Sequence, residues 1–190
     1  MSETHDVKRI TTPLSDETIA SLKAGDAVRI TGVLYTARDA AHRRLVESLK
    51  KGEKPPFPLE GQVIYYVAPS PARHGMAIGP PGPTTAGRMD AYTPYLLSLG
   101  VRGFIGKGKR NAETKEAFKK YRGIYFAAIG GAAAYLSKTI RKAEIIAYPE
   151  LGTEAIRRLE VEDFPAYVIH DIHGGDLYAE GIAKYGEQPA

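Results

Sequence analysis

Four residues combine a group suited to binding an anion with a place beside a predicted strand or helix end. Arg38 follows a predicted strand and opens a predicted helix, and Lys107 lies between two glycines directly after another strand. Thr84 ends a proline-rich loop, and Arg88 lies four residues further on, which is one helical turn. A guanidinium forms paired hydrogen bonds with a carboxylate or phosphate, and a lysine supplies a point charge. These residue types predict a site for a small anion.

The stretch from Gly79 to Asp90, GPPGPTTAGRMD, is the most constrained in the chain. Its prolines preset φ and leave few backbone donors, whereas its glycines permit positive φ or a close approach to a ligand. If Thr84 is the N-cap of a helix, the free N–H groups of the first turn face an anion, and Arg88 lies on the same face. The alternative is a capped helix whose arginine points to solvent, and the residue types alone leave both open.

The other two cations also have an ordinary interpretation. Arg38 is compatible with a surface arginine beside Asp39, which either steers its guanidinium or only favours the helix N-terminus. A Gly-Lys-Gly sequence around Lys107 also forms a common turn. Ligands of open parallel sheets bind beyond the carboxyl ends of the strands, so we expect Arg38, Thr84, Arg88 and Lys107 to converge there. Three cations in one pocket suit a doubly charged small anion.

Two further motifs are weaker. His170 and His173 have the spacing of a metal-binding pair near a strand end, but no third ligand is evident. Gly130-Gly131 precedes a predicted helix and is compatible with phosphate binding, but it lacks both the Gly-x-Gly-x-x-Gly and the Walker patterns. We favour close packing of the helix on the sheet as the role of these two glycines.

Composition limits the classes of protein to consider. The 190 residues are 43% hydrophobic and 25% charged, which is ordinary for a globular protein, and the net charge is +4. Charges of both signs are interspersed, so we expect no nucleic-acid partner. No apolar run approaches the roughly 20 residues of a membrane span, and the N-terminus lacks the apolar core of a signal peptide. We therefore expect a cytoplasmic protein without membrane contact. Without cysteine, this chain supplies no thiolate to a metal or cluster.

Hydrophobic patterns predict the elements that carry these residues. Strand–helix alternation between Gln62 and Tyr148 predicts parallel βαβ crossovers. Ser15 and Asn111 are predicted helix N-caps, and one helix is predicted from Thr84 or Thr85 to Leu99. We expect a single α/β domain over 1–190, with three layers, a mostly parallel central sheet and a second, smaller, partly antiparallel sheet. Its core covers about 14–180, with a polar tail after about 182. Predicted strands cover 7–13, 27–33, 62–68, 101–105, 124–129, 143–148, 156–161 and 166–172.

Four motifs together resemble a known family. They are ARDAAH (37–42), GPTTAGRMD (82–90), GKG (106–108) and EVEDFPA (160–166). Their types and order are similar to the β subunit, or C-terminal domain, of class I iron–sulfur hydro-lyases, which are the class I fumarases and the L-tartrate dehydratases. The resemblance extends from about Leu14 to Glu180, and the Pro-Thr-Thr-x-x-Arg-Met-Asp motif is its most specific part.

The resemblance implies a fold, a partner and roles for the four residues. The fold would be a swivelling β/β/α domain. A cysteine-bearing α subunit would hold a [4Fe–4S] cluster, in a hetero-oligomer. Arg38, Arg88 and Lys107 would hold the carboxylates of a small dicarboxylate substrate. Thr84 would contact the substrate, and it would either take part in proton transfer together with an acidic residue of the partner or only bind the ligand. Three positive groups exceed the charge of a dicarboxylate, and the surplus would offset the negative cluster and the aci-carboxylate formed in the reaction.

Three functional hypotheses follow. The first is the β subunit of a fumarate hydratase, which converts fumarate and water reversibly to (S)-malate. The second is the β subunit of an L-tartrate dehydratase, which converts tartrate to oxaloacetate with the same fold and cluster. The third is a non-catalytic module that binds small anions, although it does not account for a resemblance over nearly the whole chain.

Overall fold

The computed structural model describes residues 7–72 and 74–186, which form a mixed α/β protein with one connected sheet. Within these ranges no helix is both long and apolar enough to cross a membrane. The strands are β1 (Lys8–Thr11), β2 (Ala27–Thr36), β3 (Val63–Tyr65), β4 (Gly103–Gly106), β5 (Ile124–Ala127), β6 (Ile140–Ala147) and β7 (Ile156–His170). The helices are α1 (Asp16–Ser21), α2 (Asp39–Lys50), α3 (Thr93–Ser98), α4 (Ala112–Lys120), α5 (Ala133–Lys138) and α6 (Leu177–Tyr185), with 3₁₀ helices at Ala86–Met89 and Pro149–Glu154.

The strand order across the described sheet is β1-β2-β3-β4-β5-β7-β6, and β2 also pairs with β7. The pairs from β1 to β5 are parallel, and β7 runs antiparallel to β2, β5 and β6. Because β2 pairs with both β3 and β7, strands β2, β3, β4, β5 and β7 close into a barrel. The α/β class and the parallel pairs are confirmed.

The predicted second sheet is wrong, because the two strands assigned to it are long enough to join the main sheet. β2 has 10 residues and β7 has 15, and they pair from Ala27↔Tyr167 to Tyr35↔Arg158. The strands predicted at 156–161 and 166–172 are one strand with an irregularity between them. Asp163 adopts a φ of 53° there, and its N–H donates to Thr31 Oγ1 at 3.1 Å. This local bulge lets β7 continue past it.

Both faces of the central strands are buried. Val63, Tyr65 and Ile105 belong to one apolar cluster, whereas the alternate residues Ile64 and Phe104 belong to another. The second cluster also takes in the buried faces of α2, α3 and α4. Strands buried on both faces read as continuous apolar runs rather than alternating ones, which is the pattern seen in the sequence around β3 and β5.

Local capping signals are confirmed, but the long helix after the proline-rich loop is wrong. Ser15 Oγ accepts from Thr18 N at 3.1 Å, and Asn111 Oδ1 accepts from Thr114 N at 2.8 Å. The predicted helix from Thr84 or Thr85 to Leu99 is instead a four-residue 3₁₀ helix followed by α3. Pro94 has no N–H to donate, so it is accommodated in the first turn of a new helix and not within a continuous one.

The last described segment is more ordered than the sequence indicates. A polar tail was expected after about residue 182, yet α6 covers Leu177–Tyr185 and so extends past that point. Asp176 caps this helix, because its Oδ1 accepts from Tyr178 N and Ala179 N, both at 3.1 Å. Residues 187–190 lie outside the described ranges, so the last part of the predicted tail does too.

Candidate anion-binding site

The four predicted site residues follow three neighbouring parallel strands. Arg38 comes two residues after β2, the loop that contains Thr84 and Arg88 follows β3, and Lys107 comes directly after β4. Since β2, β3 and β4 are adjacent and parallel, these segments all begin at the carboxyl ends of the strands, on the same side of the sheet.

The two arginines meet at one carboxylate. Asp39 Oδ2 lies 3.0 Å from Arg38 Nε and 2.7 Å from Arg88 Nη2. Arg38 is partly buried and Arg88 is half exposed, with 31% and 51% of the side-chain surface accessible. Asp39 therefore contacts Arg38, as one of the two interpretations expected, and it also contacts Arg88. A carboxylate lying between the two guanidiniums shows that they can share an anion of this size.

The backbone of Thr84 is fixed to the backbone at Lys107. Lys107 N donates to Thr84 O at 3.1 Å, and Ala86 N donates to Lys107 O at 2.8 Å. Thr84 N in turn donates to Tyr66 O at 2.7 Å, just past the end of β3. Thr84 is half-buried and Lys107 is exposed. These hydrogen bonds set the spacing between a hydroxyl and a cation at the edge of the sheet.

The condition for an anion site at a helix N-terminus, that Thr84 caps a helix, is not met. Thr85, not Thr84, precedes the 3₁₀ helix, and its side chain makes no capping bond. The Ala86 N–H is already bonded to Lys107 O. A single 3₁₀ turn also lacks the row of aligned peptides that produces a helix dipole. Anion binding here would depend on the side chains instead.

Gly106 allows this close approach. A Cβ at this position would lie 2.8 Å from Tyr66 Cδ2, 3.1 Å from Ala86 Cβ and 3.2 Å from Thr84 O. The loop of Thr84 and Ala86 packs directly over the glycine. The absence of a side chain at Gly106 therefore permits this packing between two segments of the chain.

A buried ion pair that the sequence did not indicate links the segments of Arg88 and Lys107. The Arg110 side chain is fully buried, and its Nε donates to Asp90 Oδ1 at 2.5 Å. Asp90 follows the 3₁₀ helix of Arg88, and Arg110 lies three residues after Lys107. Burial tends to lower the pKa of Arg110, but Tyr66 and Asp90 outweigh it and raise the pKa. These are the causes of its pKa shift. Asp90 ends the motif GPTTAGRMD (82–90), but the sequence alone does not show that its partner Arg110 is buried.

A buried histidine supports the start of α2. His42 Nδ1 lies 3.0 Å from the Arg38 carbonyl oxygen, which can only accept, so Nδ1 carries the proton. The ring packs between Tyr66 and Tyr92. Burial lowers the pKa of His42 to about 4, although the bond to the Arg38 carbonyl opposes this shift. His42 is therefore neutral near pH 7.

The structure shows different contacts for the two weaker motifs from those expected. His170 Nδ1 lies 3.8 Å from Asp176 Oδ1, whereas His173 Nε2 is 3.2 Å from Ala20 O. No group of three metal-ligating side chains occurs in the part of the chain that the structure describes. Gly130 and Gly131 are exposed, and nothing lies within 4 Å of a Cβ built on Gly131, so close packing was the wrong interpretation. Gly131 has a φ of 84°, which indicates a role in the turn.

The charge balance differs from the sequence-based expectation. Three cations were expected to exceed the charge of a dicarboxylate. Glu154 Oε1 lies 3.2 Å from Arg38 Nε, so two carboxylates of this chain, Glu154 and Asp39, already contact the arginines. They cancel two of the three positive charges. The expected surplus against a cluster or an aci-carboxylate is therefore absent from this group of residues.

The fold and these side chains together define an α/β protein whose candidate site suits a small carboxylate. A family model described as "Fumarase C-terminus" matches residues 1–181. The chain therefore belongs to the fumarase C-terminus family, as the four motifs predicted.

Similar proteins fall into two groups by length. The chain is 40% identical over 167 residues to "Fumarate hydratase 2" of Leishmania major, covering 87% of this chain and 29% of that protein. It is 41% identical over 153 residues to "Fumarate hydratase class I, aerobic" of Escherichia coli strain K12, covering 80% and 28%. It is 36% identical over 181 residues to "Putative L(+)-tartrate dehydratase subunit beta" of Methanocaldococcus jannaschii, covering 92% and 93%. The chain thus spans under a third of these two fumarate hydratases.

Proposed function

We propose that this chain is the β subunit of an iron–sulfur hydro-lyase that hydrates fumarate reversibly to (S)-malate. The observation that carries the proposal is the convergence of Arg38 and Arg88 on one carboxylate oxygen, at the strand edge where Thr84 and Lys107 are joined. Family membership supports hydro-lyase chemistry. In this proposal the closed sheet is a form of the swivelling β/β/α domain, and the protein works in the cytoplasm.

The four side chains have different roles in substrate binding and proton transfer. Arg38 and Arg88 bind one carboxylate of the substrate through their guanidinium groups, and Arg88 exchanges its contact with Asp39 for the substrate. Lys107 supplies a positive charge for the second carboxylate. The Thr84 carbonyl oxygen accepts from Lys107 N, so the two residues are held close together, and in this proposal the Thr84 hydroxyl contacts the substrate between these charges. A threonine hydroxyl is a weak base, so its part in proton transfer requires an acidic residue of the partner.

The cluster belongs to the partner in this proposal. This chain has no cysteine, and the described residues contain no cluster of side chains able to hold a metal. The residues present therefore do not fit a [4Fe–4S] cluster. The chain covers 29% of one fumarate hydratase but 93% of a protein named as a tartrate dehydratase subunit beta. This contrast supports a hetero-oligomer in which a cysteine-bearing α subunit completes the site.

The second candidate is an L-tartrate dehydratase β subunit, which would convert tartrate to oxaloacetate. The nearly full-length match to a protein bearing that name favours it. Tartrate is also a dicarboxylate, so the same cations serve both substrates. The third hypothesis, a non-catalytic anion-binding module, has the same cations but leaves Thr84 without a chemical role.

Anaerobic assembly tests the proposal. The chain is co-expressed with its cysteine-bearing partner, the cluster is reconstituted without oxygen, and the turnover of fumarate and L-tartrate is compared. We expect the chain alone to be inactive and the complex to hydrate fumarate faster than it dehydrates tartrate. The reverse preference would favour the second candidate. Turnover by the isolated, iron-free chain would contradict both.

Arg88→Lys tests the binding role in the same complex, because it keeps the charge and loses the planar fork. We expect kcat/KM to fall on the order of ten- to hundredfold. Arg43→Lys is the control, since Arg43 is an exposed arginine of α2. Full activity of Arg88→Lys would remove Arg88 from the site.

A further inference from the structure

We infer that Glu154 is a positioning residue, which fixes both the backbone and the side chain of Arg38 for binding the substrate carboxylate. This inference rests on the proposed function of Arg38. Glu154 ends the second 3₁₀ helix and lies far from Arg38 in the sequence. No motif of the sequence pointed to it.

Glu154 replaces the missing cap of α2. Arg38 is the N-cap residue of this helix, and its side chain makes no capping bond. Ala40, at the second helical position, has an N–H without a partner inside the helix. Glu154 Oε2 accepts from this N–H at 2.8 Å, across 114 residues of sequence. The carboxylate thereby fixes the point where the backbone turns from β2 into α2.

The other oxygen of the same carboxylate holds the Arg38 side chain. Glu154 Oε1 lies 3.2 Å from Arg38 Nε, and Asp39 Oδ2 lies 3.0 Å from the same nitrogen. The Glu154 side chain is only 19% exposed, so water screens this contact less than it screens a surface ion pair. One carboxylate therefore spans a backbone donor and a side-chain donor two residues apart.

This arrangement leaves the outer end of Arg38 available for a ligand. A guanidinium has five N–H donors, and the contacts to Asp39 and Glu154 both use Nε. Within the described residues, Nη1 and Nη2 of Arg38 have no hydrogen-bonding partner. A side chain already restricted at Nε loses less rotamer freedom when its two terminal nitrogens bind a carboxylate.

The backbone around Glu154 is itself held in place. The guanidinium of Arg157 donates to three carbonyl oxygens beside it, those of Gly152 at 3.0 Å, Thr153 at 2.9 Å and Ala155 at 3.1 Å. Thr36, the last residue of β2, accepts through Oγ1 from Arg157 N at 2.9 Å. Glu154 is thus fixed relative to the end of the strand from which Arg38 extends.

Glu154→Gln in the assembled enzyme tests the inference, because glutamine keeps the size and loses the charge. We expect KM for the dicarboxylate to rise about tenfold, with kcat changed less than twofold. Glu150→Gln is the matched control, since Glu150 lies in the same 3₁₀ helix and forms an exposed ion pair with Arg44. We expect this control to leave KM unchanged.

A double-mutant cycle separates positioning from general support of the fold. If Glu154 acts through Arg38, Glu154→Gln changes KM in the normal enzyme but adds nothing in an Arg38→Ala background. Additive effects would overturn the inference. If Arg38→Ala itself leaves KM unchanged, the proposed function of Arg38 fails. If Arg38→Ala raises KM and Glu154→Gln does not, only the inference fails.

A measurement on the chain without its partner covers the case in which a variant fails to assemble. The Nε–H of Arg38 should exchange slowly with water in the NMR spectrum of the full chain, because Asp39 Oδ2 accepts from it and Glu154 Oε1 lies 3.2 Å from the same nitrogen. We expect Glu154→Gln to speed this exchange at least severalfold and Glu150→Gln to leave it unchanged. Equal exchange rates in the normal chain and Glu154→Gln would overturn the inference independently of activity.

Discussion

Both arginines of the site contact carboxylates of the same chain. Arg88 and Arg38 contact Asp39, Arg38 also contacts Glu154, and only Lys107 has no acidic partner within 4.0 Å among the described residues. In the proposed function, an arriving dianion must therefore displace or share existing contacts as well as find positive charge. Binding strength then depends on how well the guanidiniums are oriented, and less on their total charge.

The buried histidine gives the chain a pH-dependent stability. The pKa of His42 falls from 6.5 to about 4 on folding, so the unfolded chain takes up a proton between these values and the folded chain does not. Stability is therefore lost as pH falls below 6.5, by about 2 kcal/mol at pH 5. Arg110 and Asp39 are the charged groups acting on this ring, with opposite effects on its pKa.

His42→Gln should remove this part of the pH dependence, because glutamine can still donate to the Arg38 carbonyl but does not titrate. Urea unfolding at pH 7.5 and pH 5 measures the difference in the free energy of unfolding. We expect the loss between these pH values to be about 2 kcal/mol smaller in the variant. His173→Gln, which changes an exposed histidine, is the control. An identical loss in His42→Gln and the normal chain would contradict the prediction.

At the scale of the elements, the 3₁₀ helix of Arg88 and the loop after β4 hold each other in position. The 3₁₀ helix of Arg88 has only four residues and no side-chain cap. Its position comes from the two hydrogen bonds to Lys107 and from the Asp90–Arg110 pair. Asp90 Oδ2 also accepts from Asn111 N at 2.8 Å, at the start of α4. The geometry of the site is therefore set by contacts between loops at the end of the sheet.

Gly106→Ala tests this dependence. The added methyl group meets the Tyr66 ring, the Ala86 Cβ and the Thr84 carbonyl oxygen, so the loop must move outward. We expect a loss of about 1–3 kcal/mol in the free energy of unfolding and a weaker affinity of the assembled enzyme for its substrate. Gly181→Ala is the control, because it has open space and lies within α6. It should stabilise the chain slightly through helix propensity. A Gly106→Ala protein of normal stability and affinity would show that the loop is not packed this tightly.

The sequence predicted the secondary-structure elements better than the long-range contacts between them. Ser15 and Asn111 were predicted as caps, because capping depends on residues three positions apart. The pairing of β2 with β7 was missed, because the two strands are separated by more than 100 residues and no local pattern encodes a register. Motif and spacing predicted that Arg38, Thr84, Arg88 and Lys107 come together, and their segments do follow three neighbouring parallel strands. Glu154 and Arg110 were missed, because their roles come from burial and distant partners.

For the whole molecule, closure of the sheet is the main structural fact. β7 pairs with β2 along most of its length and also with β5 and β6. The strands that carry Arg38 and Lys107 therefore belong to one closed unit with β7. In contrast, α6 has no buried residues, and Ile182 and Tyr185 are 55% and 76% exposed.

Hydrogen exchange should separate these two parts. We expect the amides of Ile30 and Val168, in β2 and β7, to exchange only through global unfolding. The amides in the second half of α6 should exchange at least a hundredfold faster, through local opening. Measurement by NMR across a urea series distinguishes the two routes. Equal protection of α6 and β7 would show that α6 is part of the cooperative unit.

The contact between Glu154 and the Ala40 N–H has a consequence for synthesis on the ribosome. The two residues are 114 positions apart. At roughly 5–20 residues per second, Glu154 is added on the order of ten seconds after the start of α2. Until then, the N-terminus of α2 has no cap, Arg38 lacks one of its two carboxylates, and β7 is not yet available to close the sheet. The geometry proposed for carboxylate binding is thus completed late in translation.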